Sequence, residues 1–185
     1  MVHDAQQDTG TVADFLARLG ARTPTPAGGS VAALCTAQAA ALVAMVARFS
    51  DDPALVERAE RLVTRSVQLM TDDETAFAAV ASAWALPRGA AYDEARRAAI
   101  DAAMLGAAEP QAQVVETAVE VLVLVDRLRP AARSGVRADL VAAAEVARAG
   151  SAIARRNVES DVIGLPVSED RSRLLRRMGV TKEGA

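Results

Sequence analysis

Apolar positions along the chain recur every three to four residues in one stretch after another, and strand-like alternation is missing. The first stretch, Thr11 to Leu19, puts Val12, Phe15, Leu16 and Leu19 on one stripe, with Thr11 or Thr9 able to cap it. Residues 21–29 (ARTPTPAGG) carry two prolines and two adjacent glycines, which predict an extended loop, with Ser30 capping a second helix from about Val31 to Phe49. Asp51-Asp52-Pro53 signals the start of a third helix that reaches Trp84 before Pro87 and Gly89 interrupt the pattern. A fourth helix is expected from Tyr92 to about Ala108, with Pro110 separating it from a fifth that ends before Pro130. A sixth runs from near Asp139 to about Val158, with Ala142, Val146, Gly150 and Ile153 on its packed side, and a short Arg-rich helix capped by Ser168 closes the pattern. The expectation is an all-α, single-domain bundle of about six to seven helices: a flexible start over 1–10, a helical domain over 11–178 and a frayed end over 179–185.

Composition sharpens this reading. Of the 185 residues 51% are hydrophobic but only 3% are aromatic, so the core must be built from Ala and aliphatic side chains in close contact. With one Cys (Cys35) and one His (His3, in the polar start), neither a disulfide, a zinc or iron–sulfur ligand set, nor a His-based catalytic relay is expected. Net charge is −3 without a basic block, which argues against nucleic acid as a partner. A secretory pattern is missing from the start, and a reducing, cytoplasmic compartment is the default. The run from Val31 to Phe49 has a spanning length, but its Ala content and its Thr36, Gln38 and Arg48 favour a buried helix of a protein with no membrane partner.

One residue breaks the apolar pattern. Val63, Ser66, Met70, Asp73, Phe77, Val80 and Trp84 trace one stripe of the third helix, and Asp73 lies in that seam while Asp72 and Glu74 point to either side. A desolvated carboxylate has a raised pKa and suits acid/base work near neutral pH; the plain alternative is an Asp73 paired with an Arg of another helix. The loop ending in Gly28-Gly29-Ser30 offers free amides at a helix start, though without the Lys of a phosphate-binding loop, and read alone it is more often a connector than a site. Asp139 and Asn157 sit eighteen residues apart on one helix, about 27 Å, so they cannot share one small site within one subunit. Each also has a plain reading, Asp139 as a helix cap and Asn157 as the answer to a carbonyl near the helix end. Cys35 is read as a packing residue.

Taken in order, TPTPAGGSVAAL with the following AALVAMVAR, the Asp73 to Phe77 segment DETAF followed by Leu86-Pro87, and RADLVAAAEVARAGSAIARRNV (137–158) resemble the cyclodeaminase/cyclohydrolase family of folate one-carbon enzymes. The likeness covers about residues 10 to 162. It departs from the family pattern at Ala27, which stands for the first of three glycines, at SDDPAL (50–55), where many relatives are basic, and at AARSGVRAD (131–139).

The resemblance implies an all-helical homodimer that binds a reduced folate, with no cofactor beyond the tetrahydrofolate substrate and no metal. It implies that Asp73 is the proton donor and acceptor and that Pro26, Gly28, Gly29, Ser30, Asp139 and Asn157 meet the substrate. Two activities fit: hydrolysis of 5,10-methenyltetrahydrofolate to 10-formyltetrahydrofolate, and cyclisation of 5-formiminotetrahydrofolate with release of ammonia. The competing expectation is a catalytically inert helical dimer of the same fold that serves as a binding or structural protein.

Overall fold

A computed structural model describes residues 11–179. The expected flexible start and nearly all of the expected frayed end lie outside those residues. Within them the chain forms six α-helices: α1 (Val12–Leu19), α2 (Gly28–Phe49), α3 (Pro53–Trp84), α4 (Asp93–Leu128), α5 (Arg137–Val162) and α6 (Glu169–Arg177), with one 3-10 turn at Ser134–Val136 before α5.

Local chemistry sets most of the boundaries. Thr11 caps α1 through a capping box, its hydroxyl accepting from the Asp14 amide at 3.1 Å while the Asp14 carboxylate accepts from the Thr11 amide at 2.9 Å. Asp52 caps α3 by accepting from the Leu55 amide at 3.0 Å, with Pro53 at the first helical position, where its missing N–H costs nothing. Ser168 caps α6 by accepting from the Arg171 amide.

Four expectations need correction. First, α2 begins at Gly28, with Ala27 as a residue that supplies no side-chain cap; Ser30 lies inside the first turn and turns its hydroxyl to a different partner. Second, Pro110 does not separate two helices. α4 is one helix of 36 residues with Pro110 inside it. The proline cannot donate to the carbonyl of Gly106, but Ala107, Ala108, Gln111 and Ala112 around it are all buried, and that packing overrides the local preference. Third, the packed face of α5 is rotated from the expected one: Ala143, Ala147, Gly150, Ala154 and Val158 face inward, whereas Ala142 is exposed. Fourth, the seam along α3 runs through Leu62, Ser66 and Leu69, and Trp84 is 47% exposed.

α2 is the centre of the bundle and packs against α3, α4 and α5. It is the one described helix long and apolar enough to span a membrane, and its enclosure by three other helices accounts for that apolarity. Small side chains permit the close approach. Ala32, Ala33, Ala39, Ala40 and Ala47 are fully buried, and Gly150 of α5 meets α2 so closely that a Cβ there would lie 2.8 Å from the Ala32 carbonyl oxygen.

Two apolar clusters result. One gathers Val43, Val46, Leu124, Leu128 and Leu140 toward one end of the bundle; the other gathers Leu69, Ala112, Val114, Ala154 and Val158 toward the other, closed by Leu174 and Met178 at α6. α6 is fastened there by Arg177, whose guanidinium donates to Glu109 and Glu116 at 2.7 Å each, and by Arg171, which donates to the Val162 carbonyl. No residue between Ala83 and Ala107 is buried, so the end of α3 and the start of α4 form a hairpin without a core of its own, its Phe77 and Trp84 rings meeting edge to face.

Candidate active site

Five side chains within the described residues are buried although polar: Ser30, Thr36, Ser66, Gln111 and Thr117. Three of them answer their own helices. Thr36, Ser66 and Thr117 donate to carbonyls four residues earlier, an ordinary way to bury a hydroxyl. Ser30 and Gln111 instead reach across the bundle to one carboxylate, that of Asp73.

The Ser30 hydroxyl of α2 donates to Oδ2 of Asp73 at 3.0 Å, and the Gln111 Nε2 of α4 donates to Oδ1 at 2.7 Å. A third helix joins through Asn157 of α5, whose Nδ2 donates to Oε1 of Gln111 at 3.1 Å. Four helices thus converge on one acid. Backbone geometry makes room for it: Gly29 is buried directly against Asp73, and a Cβ there would lie 2.1 Å from Oδ1.

Burial pushes the Asp73 carboxyl above its ordinary range and Glu74 adds to this, while the hydrogen bonds from Ser30 and Gln111 pull the other way; the net shift is upward. Asp73 is partly exposed, so it is both desolvated and reachable. No Arg pairs with it, so the plain alternative of a structural ion pair does not describe this residue. A second carboxylate stands close by. Asp161, one turn beyond Asn157 on α5, is pushed up to about 6 by burial and then by the charge of Asp73.

The structure therefore brings together Gly28, Gly29, Ser30, Asp73 and Asn157, with Pro26 buried in the loop immediately before α2. Gly28 is exposed beside Asn157, where a Cβ would make an ordinary 3.8 Å contact. Asp139 lies apart, in the first turn of α5 and about 27 Å along that helix from Asn157. It does not act as a side-chain cap, and Asn157 answers Gln111 and no helix-end carbonyl. Cys35 is half-buried, with its thiol pushed up by burial, as suits a packing residue.

Sequence reasoning missed Gln111 and Asp161. Gln111 carries a usable signal, a polar residue on the same stripe as Ala107, Val114 and Ala118, but the adjacent Pro110 reads as a helix breaker and masks it. Asp161 shares a face with Asn157 four residues earlier. Among the described residues no three His, Cys, Asp or Glu side chains converge as a metal site requires.

Residues 11–177 match the family described as formiminotransferase-cyclodeaminase. The chain belongs to that family. It is 31% identical over 167 residues to a methenyltetrahydrofolate cyclohydrolase of Methylorubrum extorquens, an alignment covering 84% of this chain and 80% of that protein. Its fold is similar to the crystal structure of a formiminotetrahydrofolate cyclodeaminase from Thermotoga maritima, with a TM-score of 0.83 at 21% identity over 93% of this chain and 88% of the other. The family match spans every residue that the four helices bring to Asp73.

Proposed function

We propose that this protein hydrolyses 5,10-methenyltetrahydrofolate to 10-formyltetrahydrofolate, with Asp73 as its acid/base. The observation that carries the reading is the Asp73 carboxylate, partly desolvated, paired with no cation among the described residues and held by Ser30 and Gln111. The cyclohydrolase among its relatives supports that reaction over the others open to the family.

The substrate is a cation whose methenyl carbon is bonded to both N5 and N10. Asp73 takes a proton from water as the oxygen adds to that carbon, which gives a neutral carbinolamine. It then returns the proton to N5 as the bond from carbon to N5 breaks, the hydroxyl loses its proton, and the formyl group is left on N10. Water and substrate are consumed, and 10-formyltetrahydrofolate and one proton are formed. A carboxylate suits both steps, because it attracts the cation electrostatically and its raised pKa brings it nearer the working pH. Gly28 and Gly29, at the uncapped start of α2, offer backbone amides to polar groups of the folate.

Cyclisation of 5-formiminotetrahydrofolate is the second reading, favoured by the family description. There N10 attacks the formimino carbon and ammonia leaves, and the same carboxylate carries the proton to the leaving amine. We propose in either case a homodimer working in the reducing cytoplasm on a reduced folate, without a metal.

The test is the decay of 5,10-methenyltetrahydrofolate absorbance in a buffer where spontaneous hydrolysis is slow. The protein should accelerate the decay, and Asp73→Asn should lower kcat/KM by at least about 100-fold, the usual scale of one acid/base group. Acceleration that survives Asp73→Asn refutes the mechanism. No acceleration, with ammonia released from the formimino substrate, favours the second reading; neither, together with no folate-dependent thermal shift, favours the inert dimer.

A further inference from the structure

Asn157 and Asp73 do not touch, yet both bind Gln111, and charge fixes the direction of the hydrogen bonds between them. An ionised carboxylate only accepts, so Gln111 must turn its NH2 group toward Asp73. Its Oε1 then faces Asn157, which must in turn present its own NH2. The distances, 2.7 Å from Gln111 Nε2 to Asp73 Oδ1 and 3.1 Å from Asn157 Nδ2 to Gln111 Oε1, describe this one-way relay. Ser30 on the other oxygen differs in kind. A hydroxyl donates to Oδ2 when Asp73 is ionised and, by rotating, accepts from it when Asp73 is protonated.

We propose that Asn157 acts through Gln111 to keep a donor on Oδ1 of Asp73, so that the proton taken up by this residue is received at Oδ2, beside Ser30. The path of the catalytic proton rests on the proposed hydrolysis; the clamp on Oδ1 does not. A proton on Oδ1 would set the Asp73 O–H against the Gln111 N–H unless Gln111 turned over. Turning over would then set the Gln111 NH2 against the NH2 of Asn157 unless the partly exposed Asn157 turned over as well, so the relay opposes reversal by requiring two coupled side-chain flips. Gln111 is 1% exposed and Ser30 fully buried, so water does not readily repair a mismatch at either.

Among the described residues, no charged neighbour bonds to either oxygen. On α3, Glu74 pairs with Arg18 of α1 at 3.8 Å and Asp72 accepts from Gln68; on α5 the neighbour is Asp161; on α4, Glu109 is held by Arg177 of α6. α2 brings only uncharged groups at Gly28 to Ser30, with Cys35 more than a turn further along. The difference between Oδ1 and Oδ2 is therefore set by Gln111 and Ser30. Asn157 is on this account a positioning residue.

The test is a pH titration of the Asp73 carboxyl carbon in protein labelled with 13C-aspartate, the signal assigned by its loss in Asp73→Asn. It is run on the unsubstituted protein, Asn157→Ala, Gln111→Met and the double variant. Without Asn157, Gln111 is free to turn over and accept from a protonated Asp73, which stabilises the acid, so the midpoint should rise by about one pH unit, tenfold in the protonation equilibrium. Gln111→Met removes the donor and should also raise it. In the double variant the midpoint should equal that of Gln111→Met, because Asn157 acts only through Gln111. An unmoved midpoint in Asn157→Ala, or an effect that adds in full to that of Gln111→Met, overturns the proposal. Should Ala at 157 unsettle α5, Asn157→Leu keeps the side-chain shape and removes the same donor. Shifted midpoints in a protein with no folate turnover refute the hydrolysis and leave the clamp standing.

Discussion

Gly29 and Asp73 occupy space that a single methyl group would close: a Cβ on Gly29 would lie 2.1 Å from Oδ1 of Asp73 and 2.4 Å from Nε2 of Gln111. The missing side chain lets the first turn of α2 rest against the carboxylate. Gly29→Ala should therefore displace Asp73 and Gln111 together, and a shift near 1 Å in such a group costs about 100-fold in rate. Gly28→Ala is the comparison, since its methyl would meet Asn157 at an ordinary 3.8 Å and should cost much less. The check is kcat/KM for both variants beside their thermal unfolding; equal losses would mean that contact with the carboxylate is not the cause.

Asp161 should destabilise the fold at neutral pH. Its folded value, about 6, lies above the ordinary 3.8, so between those two values the folded state binds more protons than the unfolded chain and stability falls as pH rises. Above about 6 the penalty is fully present; below 3.8 it is gone. Asp161→Asn should therefore be more stable than the unsubstituted protein near pH 8, with the difference closing as pH falls through this window. Urea midpoints over a pH series measure it, and a variant of equal stability near pH 8 would show that the carboxylate is well solvated.

α2 has an extended Ala27 before its first turn and no side-chain cap, because Ala27 carries no side-chain oxygen and Ser30, already inside the first turn, gives its hydroxyl to Asp73. Ala27→Ser, which places an oxygen where the first-turn amides can reach it, should stabilise the protein by about 0.5–1 kcal/mol. Asp52→Ala, which removes the existing cap of α3, should cost about 1 kcal/mol. Denaturant midpoints report both. A Ser at 27 that leaves stability unchanged would mean that the α2 amides already have partners.

The fold was legible because helix signals here are local: Thr11, Asp52 and Ser168 cap the helices that their positions in the sequence suggest. Asp73 was legible for a related reason, since a charge on an apolar stripe identifies itself. Pro110 was misread because its cost is local while its compensation, the burial of Ala107, Ala108, Gln111 and Ala112, is tertiary. The α5 face was misplaced because in an Ala-rich helix neighbouring stripes differ little in hydrophobicity, so that packing against α2 and α4 decides which turns inward. The partnership of Gln111 with Asp73 lay beyond reach for a simpler reason: 38 residues separate them, and nothing in either segment names the other.

Gly150 is where the crossing of α2 and α5 is narrowest, and it offers the sharpest test of how the bundle is held. A Cβ there would lie 2.8 Å from both the Ala32 carbonyl oxygen and the Thr36 Oγ1, and 3.2 Å from the Cys35 Cβ. Two of these are fixed: the carbonyl belongs to the α2 backbone, and the Thr36 hydroxyl is tied to that same carbonyl at 3.0 Å. The helices must therefore separate, and overpacking of this kind costs about 1–3 kcal/mol. Better helix propensity opposes it by up to about 1 kcal/mol, which is not enough to reverse the sign. Gly150→Ala should lower the urea midpoint. Seven residues along α5, Asn157 holds Gln111, so the same displacement should loosen the grip on Asp73 and reduce activity beyond what lost stability explains. Gly106→Ala is the control, for its Cβ would meet nothing within 4 Å and should leave stability unchanged or improved. A Gly150→Ala protein as stable as the original would show that α2 and α5 can part at no cost, and that the small residues along their crossing are not what sets it.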